Sequence, residues 1–357
     1  MSAVGELRVA IAGYGLAGEV FHAPLVAATE GLRVVAVTTS DAARAERARA
    51  AYPGVAVLTD ADALLRDGPP IDLLVVATPN RSHVPIARTA LQRRIAVVMD
   101  KPLAADAAPA AALVADFAAA GVPFTVFQNR RWDGDFLTVR RAIASGELGA
   151  ITRLQSRYER FRPQVDPGAW REQADGGEGG GLLLDLGAHL VDQALTLFGF
   201  PARVYAEIDV RRPGALVDDD VFVALEHPGG VRSQLSMSAL APLGGRCMRV
   251  SGTRGGIETP GLDPQEDQLV AGLRPGDPGW GAGEPARVVD ADGESHEAPI
   301  ERGAYERFYA GVRDALRDGA PLPVDARDSV AALRVIEAAR RSARSAAVIE
   351  TTEEDRS

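Results

Sequence analysis

The chain has 357 residues, 46% of them hydrophobic and 25% charged, enough at roughly 100–200 residues per domain for two domains with cores of their own. Its 39 Lys and Arg against 49 Asp and Glu leave a net charge of −10, so the basic footprint of a nucleic-acid backbone binder is missing. The single cysteine, Cys247, excludes an intrachain disulfide and a cysteine-rich zinc site and fits a reducing, cytoplasmic setting; no apolar run approaches the roughly 20 residues that cross a bilayer, and the first residues lack the basic region of a signal peptide.

Short apolar runs alternate with helical patterns through the first third. Leu7–Ala12, Leu32–Thr38, Leu73–Ala77, Ala96–Met99 and Phe124–Phe127 read as strands, with Ala42–Ala51, Val84–Leu91 and Pro109–Ala120 as helices between them. Continuous apolar strands separated by helices predict a doubly wound parallel sheet, a Rossmann domain over 1–128, whose ligand crevice lies at the carboxyl ends of the strands. The second domain, 129–357, is expected to be α+β. Helices fall at Leu137–Ala144 and Gly181–Phe198, and strands at Ile151–Tyr158, Ala202–Arg211, Asp220–Glu226, Gly230–Ser238 and Met248–Ser251. Several of these alternate apolar with polar residues, which marks one wet face and hence a mainly antiparallel sheet. The non-periodic stretch Gly272–Arg287 is expected to cover a site or join a partner surface. Two helices close the fold: Tyr305–Asp318, with a core stripe of Tyr305, Phe308, Tyr309 and Val312, and Ser329–Ser345, which is free to pack back on the first domain. Glu350–Ser357 reads as a frayed, charged tail.

The first strand runs directly into Gly13-Tyr14-Gly15-Leu16-Ala17-Gly18, which opens a helix. In this context a G-x-G-x-x-G segment supplies a tight turn, a close backbone approach to a pyrophosphate, and close helix–strand packing. Pro24 must disturb the helix that follows, placing a kink at Phe21-His22-Ala23. At the end of the second strand an NAD-selective site would place an acid for the ribose hydroxyls. This chain has Thr38-Thr39-Ser40 instead, with Arg44 one turn on, so Ser40 and Arg44 are assigned to a 2′-phosphate and NADP is favoured over NAD. Asp41 argues for NAD if it points inward; alternatively Ser40 only caps the helix Ala42–Ala51, with Arg44 solvated on its surface. The third strand ends in a polar loop, Thr78-Pro79-Asn80-Arg81-Ser82-His83, in which Thr78, Asn80 and His83 are assigned to the cofactor; alternatively Ser82 caps the next helix.

The fourth of these strands ends in Asp100-Lys101-Pro102. A cation at that edge can hold a substrate hydroxyl and stabilise the alkoxide that develops as hydride leaves, although a lysine before proline also suits a solvated loop. Farther on, Gly179-Gly180-Gly181 enters a helix carrying Asp185 and His189, four apart and so on one face. The carboxylate can fix the imidazole's tautomer for proton transfer, or the two are simply a satisfied helix pair. No metal site is read, because Asp192 is the nearest further ligand and no second histidine is close by.

These motifs, in this order, resemble the glucose–fructose oxidoreductase / inositol dehydrogenase (GFO/IDH/MocA) family over nearly the whole chain. Phe21-His22-Ala23-Pro24 and Phe127-Gln128-Asn129-Arg130-Arg131-Trp132-Asp133 look most like its branch of NADP-dependent scyllo-inositol dehydrogenases. The resemblance implies an open C-terminal sheet that carries homodimer or homotetramer contacts, and Lys101, Asp185 and His189 as the catalytic group. It places Asp100 (where the family usually has Glu), Asn129 and Arg130 near the nicotinamide, and Trp170 with Arg171 near cofactor or substrate. Arg160 and Arg162 would bind substrate hydroxyls or an anionic group, unless they are solvated loop charge and Trp170 is a packing anchor. The activity implied is NAD(P)-dependent hydride transfer at a secondary alcohol of a sugar or cyclitol; the competing reading is a non-catalytic NAD(P)- and sugar-sensing regulator on the same fold.

Overall fold

The computed structural model describes residues 5–166, 168, 180–352 and 355. Trp170 and Arg171 therefore lie outside the described residues. Within them, β1 (Leu7–Ala12), β2 (Leu32–Thr38), β3 (Ala56–Leu58), β4 (Leu73–Val76), β5 (Ala96–Met99) and β6 (Phe124–Val126) form a six-stranded sheet in the order β3-β2-β1-β4-β5-β6, every pair parallel. The order reverses between β1 and β4, which opens a crevice at the carboxyl ends of those strands. Five strands lie where apolar runs place them. β3 and the helix behind it, Ala61–Asp67, escape the sequence reading because three half-buried edge residues carry no periodic signal.

The helices on the first half are α1 (Ala23–Ala28), α2 (Ala42–Ala51), α3 (Ala61–Asp67), α4 (His83–Gln92) and α5 (Ala107–Ala120). Ahead of α1, residues Ala17–His22 form a π-helical turn, and Pro24 sits in the first turn of α1. The kink expected from Pro24 is thus a π-to-α junction. The wider turn absorbs the hydrogen bond that proline cannot donate.

The second half runs α6 (Gly134–Ser145), β7 (Ile151–Glu159), α7 (Leu182–Asp185), α8 (Gly187–Phe198), β8 (Arg203–Asp209), β9 (Asp220–Glu226), β10 (Arg232–Ser238), β11 (Arg246–Gly252), β12 (Gly255–Pro260), α9 (Gln265–Val270), β13 (Ala286–Val289), β14 (Ser295–Ala298), α10 (Glu306–Asp318), α11 (Ala326–Ser345) and β15 (Ile349–Glu350). Among the described residues its sheet has nine strands, β14-β13-β12-β11-β7-β10-β9-β8-β15, antiparallel except between β7 and β10. Two expectations change. The tail is not frayed at its start, since Ile349–Glu350 pairs with β8 and Thr351 N donates to the Ala202 carbonyl. The stretch 272–287 does not line the main cleft. Trp280 is buried and anchors it, with Nε1 donating to Glu306 Oε2 at 3.1 Å.

Alternate residues of β1 serve different cores. Val9 and Ile11 face α1 and the Tyr305, Phe308, Tyr309 and Val312 stripe, while Ala10 and Ala12 face the α5 and α11 side. Each large side chain in the stripe is essentially buried, contributing roughly 1.5–3 kcal/mol as an upper estimate. Helix α11 spans both sheets. Ala107 N at the start of α5 donates to Glu337 Oε1 (2.7 Å), Gln128 Nε2 to Ser329 Oγ (3.1 Å), and Ala206 N in β8 to Ser342 Oγ (3.0 Å). That helix holds the two halves of the cleft in fixed relation. No helix among the described residues is long and apolar enough to cross a membrane.

Candidate active site

The switch point opens into a cleft of about 1090 Å³, walled on one side by the carboxyl edge of the parallel sheet and on the other by the second half. At its floor the three glycines do different things. Gly13 has φ +97°, and a Cβ there would sit 2.5 Å from the Ala77 carbonyl oxygen; a Cβ on Gly18 would collide with the Gly13 carbonyl. A Cβ on Gly15 meets nothing within 4 Å, because it would project into the cleft itself. The close backbone approach that a pyrophosphate needs is therefore present. Gly13 N donates to Thr38 Oγ1 (2.8 Å) and Tyr14 N to the Thr38 carbonyl (2.8 Å), tying this loop to the end of β2, and Tyr14, Leu16 and Ala17 complete the wall.

Thr39, Ser40 and Arg44 line the same end, closed by Thr59 and Asp60 between β3 and α3 and by Asp62 in the first turn of α3. The cap of α2 is Asp41, not Ser40. Asp41 Oδ1 accepts from Arg44 N at 2.9 Å, and that amide holds its carboxyl below the usual range. Asp41 is turned to its own helix, and Thr39, Ser40 and Arg44 are left lining this end of the cleft.

Thr78 and Asn80 line the middle of the cleft. Ser82 stands at the N-cap position of α4 but its hydroxyl makes no capping bond; it stays within the loop, 2.7 Å from the Pro79 carbonyl and 2.8 Å from Thr78 Oγ1. His83 is also placed differently from the expectation. It is 1% exposed, with one ring nitrogen 3.0 Å from the Pro102 carbonyl and the other 2.8 Å from that of Thr78, and burial lowers its pKa. Its place is behind the wall, where it ties the Thr78 loop to the Lys101–Pro102 turn.

Lys101 carries the centre of the site. Its side chain is 14% exposed and its Nζ donates to Asp185 Oδ1 (2.9 Å) and to the Asp185 carbonyl (2.8 Å). Asp100 lines the cleft beside it and accepts from Lys101 N (2.8 Å). Burial works against the Asp100 charge, but His22, whose Nε2 lies 3.8 Å away, together with Lys101 and His83, holds its pKa below the ordinary value.

Asp185 reaches Lys101 because of how its helix begins. Gly181 has φ +92°, and a Cβ there would collide with the carboxylate of Asp218. That carboxylate accepts from Leu183 N (2.7 Å) and the Asp218 carbonyl from Leu182 N (3.0 Å), so Asp218 caps α7 from another element. Burial pushes the Asp218 carboxyl up. The single helix expected over Gly181–Phe198 is broken at Leu186. Asp185 and Leu186 reach the cleft, whereas His189, on α8, is 5% exposed and is not among its lining residues. Arg160 and Arg162 do line it, as do Arg212 and Asp218, which sequence reasoning passed over. Asp218 lies in the acidic run Asp218-Asp219-Asp220, and only its partner in space, the start of α7, reveals its role.

Asn129 and Arg130 are not at the cleft. Both are 6% exposed, in a 3₁₀ turn over Asn129–Trp132. Arg130 pairs with Asp133 (3.4 Å) and Glu266 (3.0 Å) and lies over the Tyr158 ring; these groups keep its pKa raised against the effect of burial. Asp192 is likewise engaged, accepting both Nε and Nη2 of Arg131 at 2.8 and 2.6 Å. Behind Arg130, Asp263 accepts from Gly134 N and from Gln265, and burial plus the nearby Asp133 push its carboxyl up to about 7. The folded protein thus holds this proton between the ordinary value of 3.8 and about 7, where the unfolded chain has released it. The stabilisation is complete below that window and is lost as pH rises through it, by a few kcal/mol. Relative to Asp263→Asn, the wild-type unfolding midpoint should therefore fall between pH 5 and 8; parallel pH profiles for the two proteins would refute the assignment.

Residues 7–128 match a family model described as an oxidoreductase family with an NAD-binding Rossmann fold, and residues 136–258 match the GFO/IDH/MocA C-terminal domain. The uncharacterised oxidoreductase YdgJ of Escherichia coli is 38% identical, over 96% of this chain and 98% of its own. The NADP⁺-dependent scyllo-inositol 2-dehydrogenase IolW of Bacillus subtilis is 34% identical, over 96% of this chain and 95% of its own. Among solved structures, the putative oxidoreductase YvaA of Bacillus subtilis superposes with a TM-score of 0.92 at 33% identity, covering 99% of this chain and 100% of that one.

Proposed function

We propose, because this chain belongs to the GFO/IDH/MocA family of NAD(P)-binding oxidoreductases, that it is an NADP-dependent dehydrogenase acting on a secondary alcohol of a polyol, a cyclitol or a sugar. The observation that carries this is the Lys101–Asp185 contact. An ammonium from the first half and a carboxylate from the second meet at 2.9 Å on the wall of the cleft that the glycine loop floors.

The residues present fit the cofactor. Gly15 leaves room for a pyrophosphate, Gly13 and Gly18 let the turn close against backbone carbonyls, Thr78 and Asn80 line the same cleft, and Ser40 with Arg44 suits a 2′-phosphate. When bound, the nicotinamide supplies the hydride acceptor. Lys101 holds the reacting hydroxyl and stabilises the negative charge that grows on its oxygen as the C–H bond breaks. Asp185 orients the ammonium. The hydroxyl proton passes first to Asp185, which lines the cleft, and from there to His189, buried on α8 outside the lining.

The test is an absorbance screen at the nicotinamide band, with NADP⁺ and NAD⁺ in turn, against inositols, aldoses and their keto forms. Turnover with at least one polyol is expected, with kcat/KM higher for NADP⁺. Arg44→Ala should erase that preference while NAD⁺-linked activity remains. A preference for NAD⁺ in the wild type would sink the cofactor assignment, and tight cofactor binding with no redox change across the panel would sink the reaction.

A further inference from the structure

Among the described residues, the wall contributed by the second half carries positive charge that its own carboxylates do not neutralise. Beyond β7 the chain stays extended, with Arg160 N donating to the Ser238 carbonyl (2.8 Å), Arg162 N to that of Ala239 (2.7 Å), and Phe161 bridged to Leu240. Residues two apart on an extended chain face the same side, and both arginines line the cleft while Phe161 between them does not. The other charges there are spoken for. Lys101 is paired with Asp185, and Asp218 caps α7. Arg212 pairs with the buried Asp219 (2.9 Å) and donates from Nη1 to the carbonyls of Arg162 (3.2 Å) and Gln164 (3.4 Å).

That network has a consequence for position. Asp218 and Asp219 are consecutive; one fixes the start of the helix that presents Asp185, and the other, through Arg212, fixes the backbone that carries Arg162. The guanidinium of Arg160 rests on the Tyr158 ring, 4.6 Å from its centroid, and donates to Tyr158 Oη at 2.7 Å. Among the described residues neither Arg160 nor Arg162 has a carboxylate within ion-pair distance.

We infer that Arg160 and Arg162 form an oxyanion subsite, so that the polyol this protein turns over carries a carboxylate or a phosphate ester besides its reacting hydroxyl. The inference rests on the hydride-transfer reading above and narrows it. Two guanidiniums on one face, on a backbone pinned from both sides, present forked donors that match either group. A neutral polyol would bury part of this charge without an anion to answer it.

Matched pairs test it: glucose against glucuronate and glucose 6-phosphate, and myo-inositol against an inositol monophosphate. At low salt the charged member of a pair is expected to have kcat/KM higher by roughly 10- to 100-fold, the range of a charge-assisted contact. That ratio should shrink in Arg160→Gln and Arg162→Gln and as salt is raised, and the uronate and phosphate arms show which oxyanion is taken. Arg162→Lys, with its unfolding midpoint measured alongside, guards against a variant that merely misfolds. A neutral member as good as its charged analogue, or a ratio untouched by both glutamines, overturns the inference. So does weaker NADPH binding by the variants without substrate, because the arginines would then serve the cofactor. If nothing in the panel turns over, the hydride-transfer reading fails, and thermal shifts of the cofactor-loaded protein still decide the arginines: greater stabilisation by glucuronate than by glucose, lost in both variants, supports the subsite, and equal shifts refute it.

Discussion

Replacing Lys101 by methionine is expected to lower kcat by roughly 10²- to 10³-fold, the loss seen when one preorganised donor to a developing oxyanion is removed, while cofactor affinity survives. The reason is where the ammonium stands. Its Nζ is held by both the carboxylate and the carbonyl of Asp185, so it meets a substrate oxygen already oriented and partly shielded from water. Methionine keeps most of the unbranched apolar stem and removes the charge. Arginine should not rescue activity, because a planar fork cannot take the place of a compact ammonium set between two oxygens of one residue. Stopped-flow hydride transfer on the best polyol, with NADPH titrated separately, separates the effects. Full kcat in the methionine variant would remove Lys101 from the chemistry. His189→Gln is the companion measurement: a comparable drop in kcat with a changed pH profile supports proton transfer by the Asp185–His189 pair, and an unaffected profile assigns that step to Lys101 and Asp185 alone.

Arg131→Ala should destabilise the protein by about 3–5 kcal/mol, read as a lower unfolding midpoint. Arg131 grips the buried carboxylate of Asp192 through two donors and reaches Asp328 at 3.0 Å with a third, joining the turn after β6 to helices α8 and α11. Burial already pushes the Asp192 carboxyl up with the arginine present. Without it, the carboxylate is buried and unanswered, and its pKa rises further. A raised pKa in the folded state means stability lost as pH increases, so the defect should be larger at pH 8 than at pH 5. Adding Asp192→Asn to the variant should recover much of the loss. A single variant as stable as wild type at pH 8 would show that the pair contributes little.

Patterning made the parallel sheet legible to within a residue or two at most strand ends, because continuous apolar runs between helices have few other solutions. The glycine loop was legible for a related reason: Gly13 and Gly18 face backbone carbonyls that no other residue tolerates, and the spacing records that constraint. Short edge elements were not. β3, β14 and β15 at the sheet edges, and β12 and β13 beside them, escape the sequence reading because they are held by neighbours rather than by their own pattern. Sequence order also misplaced polar residues near the motifs. His83, Asn129 and Arg130 follow strand ends, as cofactor ligands do, yet all three are buried, His83 against the Pro102 carbonyl and Arg130 against Glu266 far along the chain.

Local chemistry therefore determined the Rossmann half, the dinucleotide loop and the candidacy of Lys101 and Asp185, since turns, caps and periodicity act over a few residues and leave their mark there. Which polar groups meet was decided only by the tertiary structure. Lys101 and Asp185 are 84 positions apart, Asp218 caps a helix 35 residues before it, and Arg160 and Arg162 face the cleft because β10 and the stretch after it hold them extended. Burial and ion pairing depend on distance in space, which no spacing along the chain encodes.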